Sequence, residues 1–291
     1  LKQFKERRLL DSTGAGGKVM RQPDNPFWPK KSILNPTPQR EPFVPVRRVR
    51  KFLTREDQKA VDTVAVSKYG IPLIILMEHA GLAVTDICEV VAGARTTPVH
   101  VFAGKGNNGG DAYVSARLLY ARGYHVTVWD CFPGYRHTGI VKTMRDAVVS
   151  LGIRISPAEE FEPQKLQSGL SRMIDDKVSG MPCVIIDGIL GTGFEYSRPL
   201  PMQLRRITAR IEQGHLRGAR VIAIDIPTGV DANTGEADLR AVAADCTATF
   251  VLPKAGLLRG KGRELAGQVR VFPIGLPIDF ADLALQPDPQ M

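Results

Sequence analysis

The sequence has few cysteines, no long hydrophobic run and, beyond its first fifty residues, no excess of charge of either sign. Each shortage excludes something. No apolar stretch approaches the roughly 20 residues that cross a bilayer, so no membrane-spanning helix and no membrane partner are expected. No apolar h-region stands near the start, which argues against a secretory signal. Glu6, Asp11 and the density of prolines argue against an organelle transit peptide. The 4 cysteines, Cys88, Cys131, Cys183 and Cys246, lie far apart and without metal-ligand spacing. Three of them sit inside apolar runs. They read as core thiols of a reducing compartment, and the cytoplasm is the expected location.

The formal charge of +9 is unevenly placed. Residues 1–50 carry 12 Lys and Arg against 4 Asp and Glu, or +8; the remainder carries 27 against 26, or +1. The balanced body gives little support to nucleic-acid binding by the folded part. Residues 1–46 also hold 7 of the 21 prolines and the flexible run Gly14-Ala15-Gly16-Gly17. They read as a disordered or extended arm, either solvated or docked on a partner. Residues 47–280 form the expected folded domain, and 281–291 a frayed tail.

Structure is expected to begin near Arg50, with Thr54 capping a helix that stops at Gly70. A second, strongly apolar helix follows Ile71-Pro72 and carries His79, a packing residue by its surroundings. Strand-like and helix-like stretches then alternate: strands at 99–103, 125–132, 153–155, 183–190, 219–226, 247–252 and 269–274, and helices from Asp111, over 139–151, 163–178 and 201–213. The expected fold is α/β, a Rossmann-like doubly wound, mostly parallel sheet with helices on both faces. No internal repeat is visible.

In such sheets ligands bind beyond the carboxyl ends of the strands. The polar residues concentrate there. Gly104-Lys105-Gly106-Asn107-Asn108-Gly109-Gly110-Asp111 follows the first of these strands. Asp187 and Gly191-Thr192-Gly193 follow another, and Asp225 and Thr228-Gly229 a third. Asp111, Asp187 and Asp225 are expected to converge on one crevice. Any one of these loops fits ordinary turn chemistry; three at three strand ends point to a site.

Two readings of that site remain open. Gly104-x-Gly106-x-x-Gly109, with Asp130 about twenty residues on, fits the dinucleotide fingerprint of a nicotinamide-dependent oxidoreductase. Asp111 opposes it, because a carboxylate near the helix start repels a pyrophosphate. The other reading is a cation-assisted site. Asn108 and Thr228 add neutral oxygens to the Asp187 carboxylate, which suits a hard cation of low charge, K⁺ ahead of Mg²⁺. Lys105 does not make a P-loop, whose lysine ends the loop rather than opening it. No Ser-His-Asp or Cys-His constellation is visible.

The glycine–asparagine block resembles the YjeF N-terminal domain family. So do Ile186-Asp187 with Gly191-Thr192-Gly193, and Ile224-Asp225-Ile226-Pro227-Thr228-Gly229-Val230-Asp231. Leu252-Pro253-Lys254-Ala255-Gly256-Leu257, Ile274-Gly275-Leu276-Pro277 and Met77-Glu78-His79-Ala80-Gly81 resemble it too, so the likeness spans residues 48–278. Members of this type are NAD(P)HX epimerases, isomerases that interconvert the R and S forms of hydrated NADH and NADPH in metabolite repair. The resemblance implies a nucleotide-binding, K⁺-binding domain that forms a homodimer and shares its NADHX and NADPHX pool with a separate dehydratase. It implies Asn108, Asp187 and Thr228 as the potassium ligands. It implies substrate contacts from Asn107, Asn108, Gly109, Gly110 and Asp111, from Gly191, Thr192, Gly193, Phe194, Glu195, Tyr196 and Ser197, and from Asp225. Asp225, with Asp111, is the expected catalytic pair. His79, Ala112 and Thr228 stand where members usually have Asn, Gly and Ser. The alternative is a non-catalytic dimerising scaffold on the same domain, used in RNA-linked assembly, which has no chemical need of the retained carboxylates.

Overall fold

The computed structural model describes residues 44–45, 51–166, 183–277 and 279–285. The expected arm and the outer part of the tail therefore fall almost wholly outside the described residues. So does most of the helix expected over 163–178, of which Pro163–Lys165 is a single 3₁₀ turn.

The chain first supplies a two-residue strand, β1 (Val44–Pro45), which pairs antiparallel at the sheet edge and lies inside the stretch expected as arm. Helix α1 (Arg55–Ser67) starts from a capping box. The Asp57 N–H donates to Thr54 Oγ1 at 3.1 Å, and the Thr54 N–H to Asp57 Oδ2 at 2.9 Å. Helix α2 (Leu73–Ala92) buries Leu76, Met77, Ala80, Val84, Ile87 and Cys88. It leaves Ile75, Leu82 and Val90 exposed on its outer side.

Then come β2 (Val99–Ala103), α3 (Asn107–Ala121), β3 (Val126–Asp130), α4 (Gly139–Ser150), β4 (Arg154–Pro157) and β5 (Val184–Gly188). The chain continues with α5 (Met202–Leu216), β6 (Arg220–Ile224), β7 (Cys246–Phe250), α6 (Gly260–Leu265), β8 (Gln268–Phe272) and α7 (Phe280–Ala284). The sheet order is β1-β8-β7-β6-β5-β2-β3-β4, and every pairing except that of β1 is parallel. The chain winds outward from β2 through β3 to β4, then returns to the other side of β2 as β5. Strand order reverses between β2 and β5, which is where such a sheet opens a crevice.

Alternation along the strands separates two cores. Val99, Val101, Val184, Ile186, Ile222 and Ile224 pack into the layer of α1 to α4. Phe102, Ile185, Val221 and Ala223 pack into the layer of α5 and Phe161. The four cysteines are buried and free. Among the described residues no helix is long and apolar enough to cross a membrane.

His100, on β2, faces the second core. Its Nδ1 accepts the Trp129 indole N–H at 3.1 Å, and the Phe161 ring lies 5.4 Å away. Burial pushes the imidazole down to about 4 from the usual 6.5. Between those values the unfolded chain binds a proton that the folded chain refuses, so stability is complete above 6.5 and falls as pH drops toward 4. The group accounts for about 2 to 3 kcal/mol over that window. Urea unfolding at pH 7 and pH 4.5 tests this. His100→Gln, which can still accept from Trp129, should flatten the acid loss by a similar amount. An unchanged pH dependence refutes the assignment.

Candidate active site

The loops after β2 and β5 meet backbone to backbone at the point of strand reversal. The Gly104 N–H donates to Gly188 C=O at 3.0 Å. A Cβ on Gly104 would sit 1.8 Å from the Ile189 carbonyl oxygen, and one on Gly109 would sit 2.0 Å from Gly104 O. Glycine is required at both by the close approach of backbone. Gly106 differs, because nothing lies within 4 Å of its Cβ position. It caps α3 without a side-chain bond, so the first N–H groups of the helix have no partner of their own.

The helix starts at Asn107, one turn earlier than the sequence indicates. Gly109 and Gly110 lie within the helix, where a Cβ on Gly109 would meet backbone and one on Gly110 would meet the end of the Met77 side chain at 2.5 Å. Asp111 thereby moves out of the first turn. Its expected repulsion at the extreme helix start is corrected to a position one turn in, where it points to the crevice.

That crevice is a cavity of about 350 Å³. Gln58 and Asp62 from α1, Asn107, Asn108 and Asp111 from α3, and Asp225 after β6 supply its polar wall. Met77, Ile140, Phe250 and Ile274 supply apolar wall, and Gly191, Thr192 and Gly193 form a rim. Burial holds the Asp111 carboxyl well above the usual carboxylate range, helped by the charges of Asp225 and Asp62 and opposed by Lys254. Asp62 is raised for the same first reason, while the Gln58 hydrogen bond and Lys254 pull it back. Asp225 has φ +63°, and its Oδ1 lies 2.5 Å from Lys254 Nζ. The Lys254 side chain is fully buried.

Asp187 does not line the cavity. It is fully buried, with Oδ2 accepting from the Thr228 N–H at 2.8 Å and Oδ1 from the Thr228 hydroxyl at 2.7 Å. Burial nevertheless raises it to about 6. The expected convergence of Asp111, Asp187 and Asp225 on one surface is thus corrected. Asp111 and Asp225 face the cavity with Asp62, and Asp187 lies at a neighbouring strand end.

Comparison with known proteins accords with this geometry. The family model for the YjeF-related protein N-terminus matches residues 73–256. The chain belongs to that family. It is 37% identical over 219 residues to the bifunctional NAD(P)H-hydrate repair enzyme Nnr of Thermofilum pendens, covering 75% of this chain but 39% of that protein. It is 32% identical over 225 residues to the NAD(P)H-hydrate epimerase of Weissella koreensis, covering 77% of this chain and 91% of that one. The crystal structure of the yeast protein YNL200c shares the fold, with a TM-score of 0.64 at 22% identity over 81% of this chain and 94% of that chain.

In this YjeF-type domain the stretch from Gly191 to Ser197 is divided. Gly191, Thr192 and Gly193 border the cavity, and Phe194 is buried in the second core. Glu195, Tyr196 and Ser197 border a separate depression beside Arg55 and Asp231. Arg55 fixes the whole loop. Its guanidinium donates to Thr192 O at 2.6 Å, Phe194 O at 2.8 Å and Glu195 Oε1 at 2.7 Å. His79 is exposed beside Gly275 and does not line the cavity. Sequence reasoning passed over Arg55, Gln58, Asp62 and Lys254. The available signal was a lysine inside the otherwise apolar Leu252–Leu257 run, and a Gln–Asp pair four apart on one helix face.

Two glycine substitutions separate packing from access. Gly104→Ala should lower unfolding stability by more than about 2 kcal/mol, because backbone atoms must shift. Gly106→Ala should leave the melting temperature within about 2 °C of the parent while altering ligand access. Equal thermal effects of the two would refute the distinction.

Proposed function

We propose that this domain epimerises the R and S forms of hydrated NADH and NADPH. The observation that carries the proposal is the pairing, in one cavity, of Asp225, whose Oδ1 lies against Lys254 Nζ, with an Asp111 carboxyl that burial holds well above the usual carboxylate range. The names of the relatives support it. The open amides at the start of α3, beside Lys105, suit the diphosphate of a dinucleotide.

Epimerisation inverts one hydroxyl-bearing ring carbon. A bond at that carbon must break and re-form on the other face, with a proton removed and returned. Asp111 gives a proton to the hydroxyl, which leaves as water while the lone pair of the adjacent ring nitrogen forms a C=N bond. Water then adds to the other face, the lone pair returns to nitrogen and Asp225 takes the released proton. That proton passes back to Asp111 through solvent before the next turnover. No hydride moves. Asp130, the expected ribose partner of an oxidoreductase, is buried and accepts from the Phe132 N–H at 2.9 Å.

K⁺ belongs to this proposal. Asp187 near the end of β5, Thr228 after β6 and Asn108 in the first turn of α3 would supply an all-oxygen donor set. The Asn108 amide lies against Gly191, with Oδ1 3.2 Å from that residue's Cβ position. Among the described residues no cluster of three or more His, Cys, Asp and Glu side chains is set up for a metal ion. A single carboxylate with neutral oxygens fits a monovalent cation, whose charge would support the substrate's diphosphate. A homodimer is proposed as well, through the exposed Ile75, Leu82 and Val90 of α2. The dehydration that completes repair belongs to a different active site.

The test mixes purified protein with S- and R-NADHX and follows their ratio by chromatography. Equilibration should accelerate, and Asp225→Asn should slow it by about 100-fold or more. A folded sample that leaves the ratio unchanged in K⁺ buffer refutes the epimerase. Replacing K⁺ by choline should lower the rate, and an equal rate in choline refutes the cation.

A further inference from the structure

Strands β6 and β7 lie side by side and both leave the sheet through a strained turn. Asp225 is the centre of the first, closed by the Ile226 N–H donating to Ile224 O at 2.7 Å. Val251 is the centre of the second, closed by the Leu252 N–H donating to Phe250 O at 2.8 Å. Their φ values are +63° and +65°, a region that side chains disfavour, and a β-branched residue most of all. The second turn sends the chain back so that Lys254 comes under Asp225. Backbone on both sides fixes Lys254: the Leu53 N–H donates to Pro253 O at 2.9 Å, and the Ala255 N–H to Leu53 O at 2.9 Å.

The ammonium of Lys254 donates to Phe250 O at 3.0 Å and to Thr249 Oγ1 at 3.4 Å, and forms an ion pair with Asp225 Oδ1 at 2.5 Å. Thr249 Oγ1 itself donates to the same Asp225 Oδ1 at 3.2 Å. Both polar neighbours therefore hold one oxygen of the carboxylate. Among the described residues Oδ2 has no hydrogen-bond partner, and Asp225 borders the cavity.

We infer that Lys254 is the positioning residue of this site: with Thr249 it ties down Oδ1 of Asp225, and so presents Oδ2 to the substrate as the proton acceptor. The inference rests on the epimerase reading, because it assigns the reacting atom of that reaction. A buried lysine paired only for stability would have no need to leave one carboxylate oxygen unbound toward a cavity. The other charged groups on the cavity wall are Asp111 of α3, Asp62 of α1 and Lys105 just before α3. Lys254 is the cation in direct contact with this carboxylate.

The test is the pH profile of NADHX epimerisation by the full chain. Asp225 must be unprotonated to act, so activity falls on the acid side. Removing the neighbouring cation favours the protonated form and moves that limb to higher pH. Lys254→Met should shift it upward by about one unit and lower kcat by about 100-fold, with KM changed by less than about threefold. Lys254→Arg should recover part of the shift. A folded Lys254→Met enzyme with an unmoved limb and near-parental kcat overturns the inference. If Lys254→Met does not fold, Thr249→Val carries the test: a smaller upward shift supports the inference, and an unmoved limb overturns it. Wild-type activity is the control. Its absence would reject the epimerase reading itself, whereas an active wild type with insensitive variants rejects only the role of Lys254.

Discussion

The contact between Lys254 and Asp225 ties the end of β6 to the segment that follows β7. Each strand leads into a residue at positive φ, at a cost of about 1 to 3 kcal/mol. Such a cost persists only where the surroundings over-determine the conformation. Here the surroundings are parallel pairing of β6 with β7, the Leu53 bridge and the buried ion pair. A buried pair is weak evidence of stability, since desolvation offsets most of the attraction. The bonds from Lys254 to Phe250 O and Thr249 Oγ1 offset part of that cost, and the place of Asp225 beside the cavity gives the pair a use.

The same pair bears on the protonation of its neighbours. Asp62, Asp111 and Asp225 share a cavity, and Lys254 lies buried against Asp225. Like charges in a poorly solvated space do not all ionise. Lys254 contacts Asp225, while burial holds the Asp111 carboxyl well above the usual carboxylate range. Two chemically identical side chains thus have different surroundings, as the proposed acceptor and donor of protons require. Asp187 lies outside this arrangement. Its partners are the backbone and hydroxyl of Thr228, which hold the β5 and β6 ends together.

Much of this was legible in the sequence, and the rest was not for identifiable reasons. Alternating apolar runs and Gly/Asn-rich breaks indicated a parallel sheet, and the structure has one. Asn108, Asp111 and Asp225 come together because strand ends of a parallel sheet share an edge, a property of topology rather than of any one residue. The helix start at Asn107 was missed because two glycines and two asparagines read locally as loop. In the structure they form the first turn of α3, with Met77 and the Gly104 carbonyl close against the two glycines. Asp62 and Lys254 were missed because neither stands in a strand-end motif. Asp62 reaches the cavity from the outer helix, and Lys254 folds back against Asp225 after a strained turn.

The glycine signature also takes on a different meaning. Read alone, Gly104-x-Gly106-x-x-Gly109 suggests a backbone shaped around a pyrophosphate. In the structure the first and third glycines are consumed by packing against the Ile189 and Gly104 carbonyls, and only Gly106 faces open space. The acidic residue that should complete the fingerprint, Asp130, is occupied by the Phe132 amide and lies 3.7 Å from Arg145. The crevice therefore keeps the amide-rich helix start of a dinucleotide site but not its acid at the second strand. Its carboxylates stand instead at the end of β6 and on the two flanking helices, around the cavity. A site so arranged places its chemistry on the protein's own side chains, which suits a dinucleotide bound as the molecule to be altered rather than as a hydride carrier.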